Sequence, residues 1–229
     1  MTKSLRASIL LVLLAASLGG CVSLLPKSKP AQLYRFGLGP TMSSPSPTQA
    51  RAGLVIGSVS FPRASTSDGI LTTTGDQTAY IAGARWVAPA RVLFQEATER
   101  AFEAKSTTSQ IVNIGDVGPA GAVLRLDVLT FEARYARPGR APVVVIELTA
   151  RLSAPDGRLL GQQVFSAKAP AGSDSVSAVV KAFDEATDKV LADVVRWTDA
   201  RVAAAAPAPA TVVTTTTSSS TQTSTTRPQ

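Results

Sequence analysis

The 229-residue chain contains no histidine, and its only cysteine is Cys21. It therefore cannot supply a Ser-His-Asp or Cys-His couple, a CxxC redox pair or a His/Cys zinc site. Lysine is sparse in the stretch that can form a domain, limited to Lys105, Lys168, Lys181 and Lys189. None of these adjoins a recognisable nucleophile motif, so a Ser-Lys hydrolase lacks its parts. Asp184 and Glu185 are adjacent on a helical pattern, where neighbours point about 100° apart, so they cannot converge on one substrate atom for acid-base work. A solvated helix face accounts for them, and no enzymatic activity, cofactor or metal is expected.

What remains is 45% hydrophobic and 17% charged, enough for one globular domain with a single core. The formal charge is +7, and the pI is near 10. A basic balance of this kind suits acidic surfaces in general, so the compartment decides its meaning.

The compartment is written at the amino terminus. Lys3 and Arg6 precede an apolar stretch from Ile9 to Leu18, followed by Gly19, Gly20 and Cys21, which is the layout of an export signal over residues 1–20. A helical membrane span takes roughly twenty apolar residues, about twice this run, so a permanent transmembrane anchor is disfavoured. Leu18-Gly19-Gly20-Cys21 resembles the bacterial lipobox. In that motif the cysteine thiol receives a diacylglyceryl group, the signal is cleaved, and the new amino terminus is acylated, palmitate being the expected chain. Because each buried methylene contributes about 0.8 kcal/mol, several chains on Cys21 give stable anchoring without crossing the membrane. Val22 follows where enteric bacteria place an aspartate to retain lipoproteins in the inner membrane, which points to the outer membrane, periplasmic side. Loss of residues 1–20 removes Lys3 and Arg6 and no carboxylate, lowering the charge from +7 to +5. Nucleic acid is not an expected partner.

Residues 21–31, with Pro26 and Pro30, read as an extended lipidated tether. The domain is expected over residues 32–202. Strands are predicted at Leu33 to Phe36 and at Leu54 to Phe61, then as a hairpin of Ile70-Leu71 and Thr78 to Ala82 about Gly75-Asp76. Leu93, Phe94, Ala97, Ala101 and Phe102 recur on one helical face between Pro89 and Ala104. Ile111-Val112 follows. From Ala122 to Tyr135 alternation turns Leu124, Leu126, Val128 and Thr130 one way and Arg125, Asp127 and Leu129 the other. Turns at Pro138-Gly139 and Pro155-Asp156-Gly157 lead into strands at Val143 to Leu152 and Leu159 to Ala167, an antiparallel meander. A second helix is predicted from Ser175 to Val202, capped by Ser173 or Asp174, with an apolar stripe through Val179, Phe183, Val190 and Val194. The sum is an α+β, two-layer domain: a mostly antiparallel sheet of five to seven strands covered by two amphipathic helices. Residues 203–229 turn to Ala/Pro and then Thr/Ser, a composition that builds no core and reads as a disordered tail.

Several motifs fall in a suggestive order: the lipobox cysteine, Tyr34 in a first strand, a Tyr80 strand entering Ala84-Arg85-Trp86, and a helix directly after. Later, Pro170-Ala171-Gly172-Ser173-Asp174-Ser175 runs into Ala182-Phe183-Asp184-Glu185-Ala186, and Val195-Arg196-Trp197 lies near the helix end. Over about residues 33–200 the chain resembles the ABC-type transport auxiliary lipoproteins, the family of PqiC. It departs from members that carry two adjacent tryptophans before the first helix, since Arg85 precedes the single Trp86. The resemblance implies support for an ABC transporter with an MCE-type substrate-binding protein that moves phospholipids or other hydrophobic solutes between the two membranes. Its implied partners are the MCE-domain protein, the ABC ATPase and the permease, and a homo-oligomeric ring is implied as well. The chain itself has neither a phosphate-cradling GxxxxGK[ST] loop nor a permease's run of membrane helices.

Contact residues stay open between two roles. Trp86 suits either a partner anchor or packing under the first helix. Trp197 suits a core cap or the membrane side. Arg134, Arg137 and Arg140 crowd a hairpin tip, either as a solvated turn or as a dock for anionic headgroups or an acidic partner. The rival to the transport reading is a stand-alone periplasmic lipid carrier that holds an acyl chain in its own core.

Overall fold

Fourteen residues of one strand, Ala122–Tyr135, organise the sheet. The computed structural model describes residues 30–39, 51–118 and 121–205; the expected export signal, the expected lipidation site Cys21 and the Ala/Pro and Thr/Ser tail lie largely outside them. In chain order the elements are β1 (Gln32–Tyr34), β2 (Ala52–Ser60), β3 (Gly69–Thr74), β4 (Gln77–Trp86), α1 (Ala90–Lys105), β5 (Ser109–Ile111), β6 (Ala122–Tyr135), β7 (Val143–Ser153), β8 (Leu159–Pro170) and α2 (Val176–Ala205).

β6, β7 and β8 form the expected antiparallel meander. Its turns are set by Gly139 and Gly157, at φ +73° and +89°, a region that side chains with a Cβ rarely enter. The α+β class is as expected, but the rest of the sheet differs from the sequence reading: among the described residues there are eight strands, and the sheet is mixed. β1 runs parallel to β4, β2 parallel to both β5 and β6, and β3 parallel to β6. β2 and β3 lie on β6 in tandem. Leu54–Ser60 pair with Ala122–Asp127, and Thr72–Thr74 pair with Ala133–Tyr135. A parallel pairing needs a crossover connection, and the chain through α1 and β5 provides one between β2 and β6.

α2 crosses β6, β7 and β8, while α1 packs on α2, β2 and β5. The helices bury Val179, Phe183, Val190 and Val194 of α2, and Leu93, Phe94, Ala97 and Phe102 of α1, as their spacing requires. The α2 cap is Ser175, not Ser173 or Asp174: its Oγ accepts from the Ala178 amide at 3.4 Å, while Ser173 Oγ accepts from the Ser175 amide. Ser175 immediately precedes the first helical residue, the position from which a side-chain oxygen reaches a first-turn amide.

One break in alternation shapes the core. β6 pairs Val128 with Leu148 but Thr130 with Glu147, so Leu129 is an extra residue with no opposite number. The bulge reverses the parity of everything after it. Phe131, not Thr130, therefore enters the core at 2% exposure. Its ring lies 5.1 Å from Phe36, 5.4 Å from Phe61, 6.1 Å from Phe94 and 4.9 Å from Phe183.

Candidate functional site

Trp86 closes β4 and is buried. Its indole stands edge-on to Phe36 at 4.9 Å and to Phe183 at 5.2 Å, so it belongs to the Phe131 cluster. Of the two roles open to it, the side chain sits in the packing one. Trp197, on the last turns of α2, is half-buried and meets Phe165 of β8 at 5.8 Å. Gly161 lets it approach, since a Cβ there would lie 3.0 Å from the indole.

The three arginines near the β6–β7 tip divide. Arg134 Nε donates to Glu132 Oε1 at 2.6 Å. Arg137 and Arg140 are exposed in the turn and have no ion pair among the described residues. Asp184 and Glu185 diverge as their helical spacing demands: Asp184 Oδ1 accepts the Gly37 amide at 2.6 Å, and Glu185 faces solvent.

The most heavily bonded carboxylate is one that sequence reading passed over. Asp199 of α2 accepts from Ser106 Oγ at 2.7 Å, the Thr107 amide at 2.7 Å and Ser109 Oγ at 3.1 Å. Burial alone would raise its pKa; the Thr107 amide and the hydroxyls of Ser106, Thr108 and Ser109 outweigh burial and hold it below the ordinary value. The run Ser106-Thr107-Thr108-Ser109 was the available signal, since four successive hydroxyls after a helix await an acceptor. No base or lysine joins this network, so its work is to tie the end of α2 to the α1–β5 loop. Asp188 goes the other way: burial raises it, Lys105 opposes that and Asp184 adds to it.

No group of His, Cys, Asp and Glu suited to a metal ion occurs among the described residues. Nor does any helix among them have the length and apolarity to cross a membrane.

The site is thus a set of surfaces on a packed scaffold. Residues 36–195 match the family model described as the ABC-type transport auxiliary lipoprotein component. The chain belongs to this family of auxiliary lipoproteins. Its matched span opens at Phe36 and closes at Val195, both core residues. Among solved structures, protein XCC0632 from Xanthomonas campestris is similar at 27% identity and TM-score 0.60, over 74% of this chain and 96% of that one. A second, described only as an uncharacterized protein, shares the fold at 17% identity and TM-score 0.58, over 74% and 99% of the two chains. No curated protein matches the chain. Membership in this auxiliary transport lipoprotein family, which is not a known enzyme family, supports a periplasmic role beside an ABC transporter.

Proposed function

We infer that this chain is the lipid-anchored auxiliary subunit of an ABC transporter of MCE type, moving phospholipids or other hydrophobic solutes between the inner and outer membranes. The observation that carries the reading is the family match over residues 36–195, joined to a lipobox at Leu18-Gly19-Gly20-Cys21. In this reading Cys21 holds residues 32–202 on the periplasmic face of the outer membrane, after removal of residues 1–20. Residues 21–31 serve as the tether, and the expected tail starts after Ala205, where α2 ends, not at residue 203. Energy and translocation come from the ATPase, the permease and the MCE-domain protein. The lipoprotein contributes shape, as a homo-oligomer around the path. Arg137, Arg140 and the outer edge of Trp197 are contacts such an assembly would draw on.

A stand-alone lipid carrier would need a continuous apolar cavity between sheet and helices. That space holds Phe36, Trp86, Phe94, Phe131 and Phe183 in mutual ring contact, which favours the auxiliary-subunit reading.

Affinity purification of the full-length protein from envelopes in non-ionic detergent tests the proposal. Co-purification of an MCE-domain protein, an ATPase and a permease is expected after in-cell crosslinking. Recovery of the lipoprotein without any of the three contradicts it.

A further inference from the structure

The helices cover one face of the meander and leave the other open, and on that open face Arg125 of β6 stands directly opposite Arg151 of β7. Like charges placed opposite in a strand pair repel. No carboxylate among the described residues lies within ion-pair distance of either guanidinium. The row continues to Gln162 of β8, whose Oε1 accepts from Arg151 Nε at 3.2 Å. On the other side β2 shifts register between Ile56 and Val59, setting Gly57 and Ser58 against Arg125. A Cβ at Gly57 would lie 3.1 Å from Arg125 Cγ and 3.0 Å from the Leu124 carbonyl, so glycine leaves the room that the arginine stem occupies.

The next row holds Ser60, Asp127, Thr149 and Val164. Asp127 is the one carboxylate among the described residues that line this concavity, and it accepts the Ser60 hydroxyl. Together the rows enclose an open hollow of about 330 Å³ with both arginines in its wall.

We propose that this hollow binds a singly charged phosphate diester, the chemistry of a glycerophospholipid headgroup. Two guanidinium groups in the wall of one hollow suit an anion whose two unesterified oxygens can each accept from a different arginine. The hydroxyls of Ser58 and Thr149 supply further donors. Asp127 leaves the hollow with a net charge of +1, which fits a monoanion and disfavours the dianion of free phosphate. Val164 and Leu129, exposed on the same side, give the ester's apolar part a surface to lie on. This inference stands apart from the transport reading and would hold for the lipoprotein alone.

The test is calorimetric titration of the full-length protein, in non-ionic detergent, with glycerophosphoglycerol and separately with inorganic phosphate. The diester binds saturably and more tightly than phosphate, and Arg125→Gln with Arg151→Gln together weaken it by at least about tenfold. Tighter binding of free phosphate overturns the headgroup assignment. Absence of saturable diester binding, or its survival in the double variant, overturns the site. Melting adds a readout that a structural role would not give. Without ligand, Arg151→Gln melts no lower than the parent, and the diester raises the melting temperature of the parent only. A lower melting temperature for that variant without ligand counts against the proposal.

Discussion

The rings of Phe131 and Phe183 lie 4.9 Å apart at an interplanar angle of 39°, joining the middle of the sheet to the long helix that covers it. The contact exists because Leu129 bulges out of the β6–β7 ladder, which leaves Phe131 on the core side. Phe131→Ala removes a side chain that four other phenylalanines touch, and a loss of about 3–5 kcal/mol is expected in denaturant unfolding. Deleting Leu129 should cost less than Phe131→Ala, since Thr130 then follows Val128 in plain alternation, still opposite Glu147, and Phe131 still faces the core. A deletion variant that loses as much stability as Phe131→Ala would show that Leu129 is more than the extra residue of a bulge.

Gly37 holds both helices to the segment after β1. Its amide donates to Asp184 of α2, and its carbonyl accepts from Arg100 Nε of α1 at 2.9 Å. It adopts φ +70°, and a Cβ there would stand 2.4 Å from that of Ala97. Gly37→Ala combines left-handed strain with overpacking, and a loss of roughly 2–4 kcal/mol is expected. Gly75→Ala shares the positive φ but meets nothing within 4 Å; its loss should be about 1 kcal/mol. Equal losses in the two variants would remove the steric part of the argument.

Buried Asp199 and half-buried Asp188 pull stability in opposite directions with pH. The folded-state pKa of Asp199 is depressed, so its contribution is complete above the unfolded value near 4 and disappears as pH falls through the folded one. Asp199→Asn should therefore destabilise at pH 7 and flatten the acid limb of the stability profile. Asp188 is raised, so it weakens the fold above its folded pKa and ceases to do so once protonated. Asp188→Asn should melt no lower than the parent at pH 7, with any gain fading in acid. Melting temperatures from pH 3 to 8 check both signs.

Much of this architecture is legible in one sequence because the signals involved are local. Helical periodicity marks α1 and α2 to within a few residues, and proline-glycine turns mark the meander. The tandem seating of β2 and β3 on β6 is not legible, since parallel pairing joins residues 61 to 68 positions apart with no single turn linking the strands. The Leu129 bulge hides for another reason: Thr130 and Phe131 are both tolerable in a strand, and only the Glu147 pairing decides which one turns inward. Arg125 reads correctly as a solvent-side residue, yet its opposition to Arg151 requires the register of two strands.

Charge reversal at Arg137 and Arg140 tests the hairpin tip. Exposed substitutions of this kind change stability by less than about 0.5 kcal/mol, so the melting temperature should hold. Recovery of partners from envelopes should fall and become less sensitive to salt. Undiminished recovery assigns the two arginines to a solvated turn.

The central claim, a lipid-anchored scaffold that acts from the membrane, rests on Cys21. Its most direct test is complementation of a deletion strain's detergent sensitivity by the parent gene and by Cys21→Ser, with envelope fractionation of both. The parent restores resistance from the membrane fraction, whereas Cys21→Ser leaves that fraction and fails to restore it. A serine variant that stays with the envelope and fully restores resistance contradicts the account.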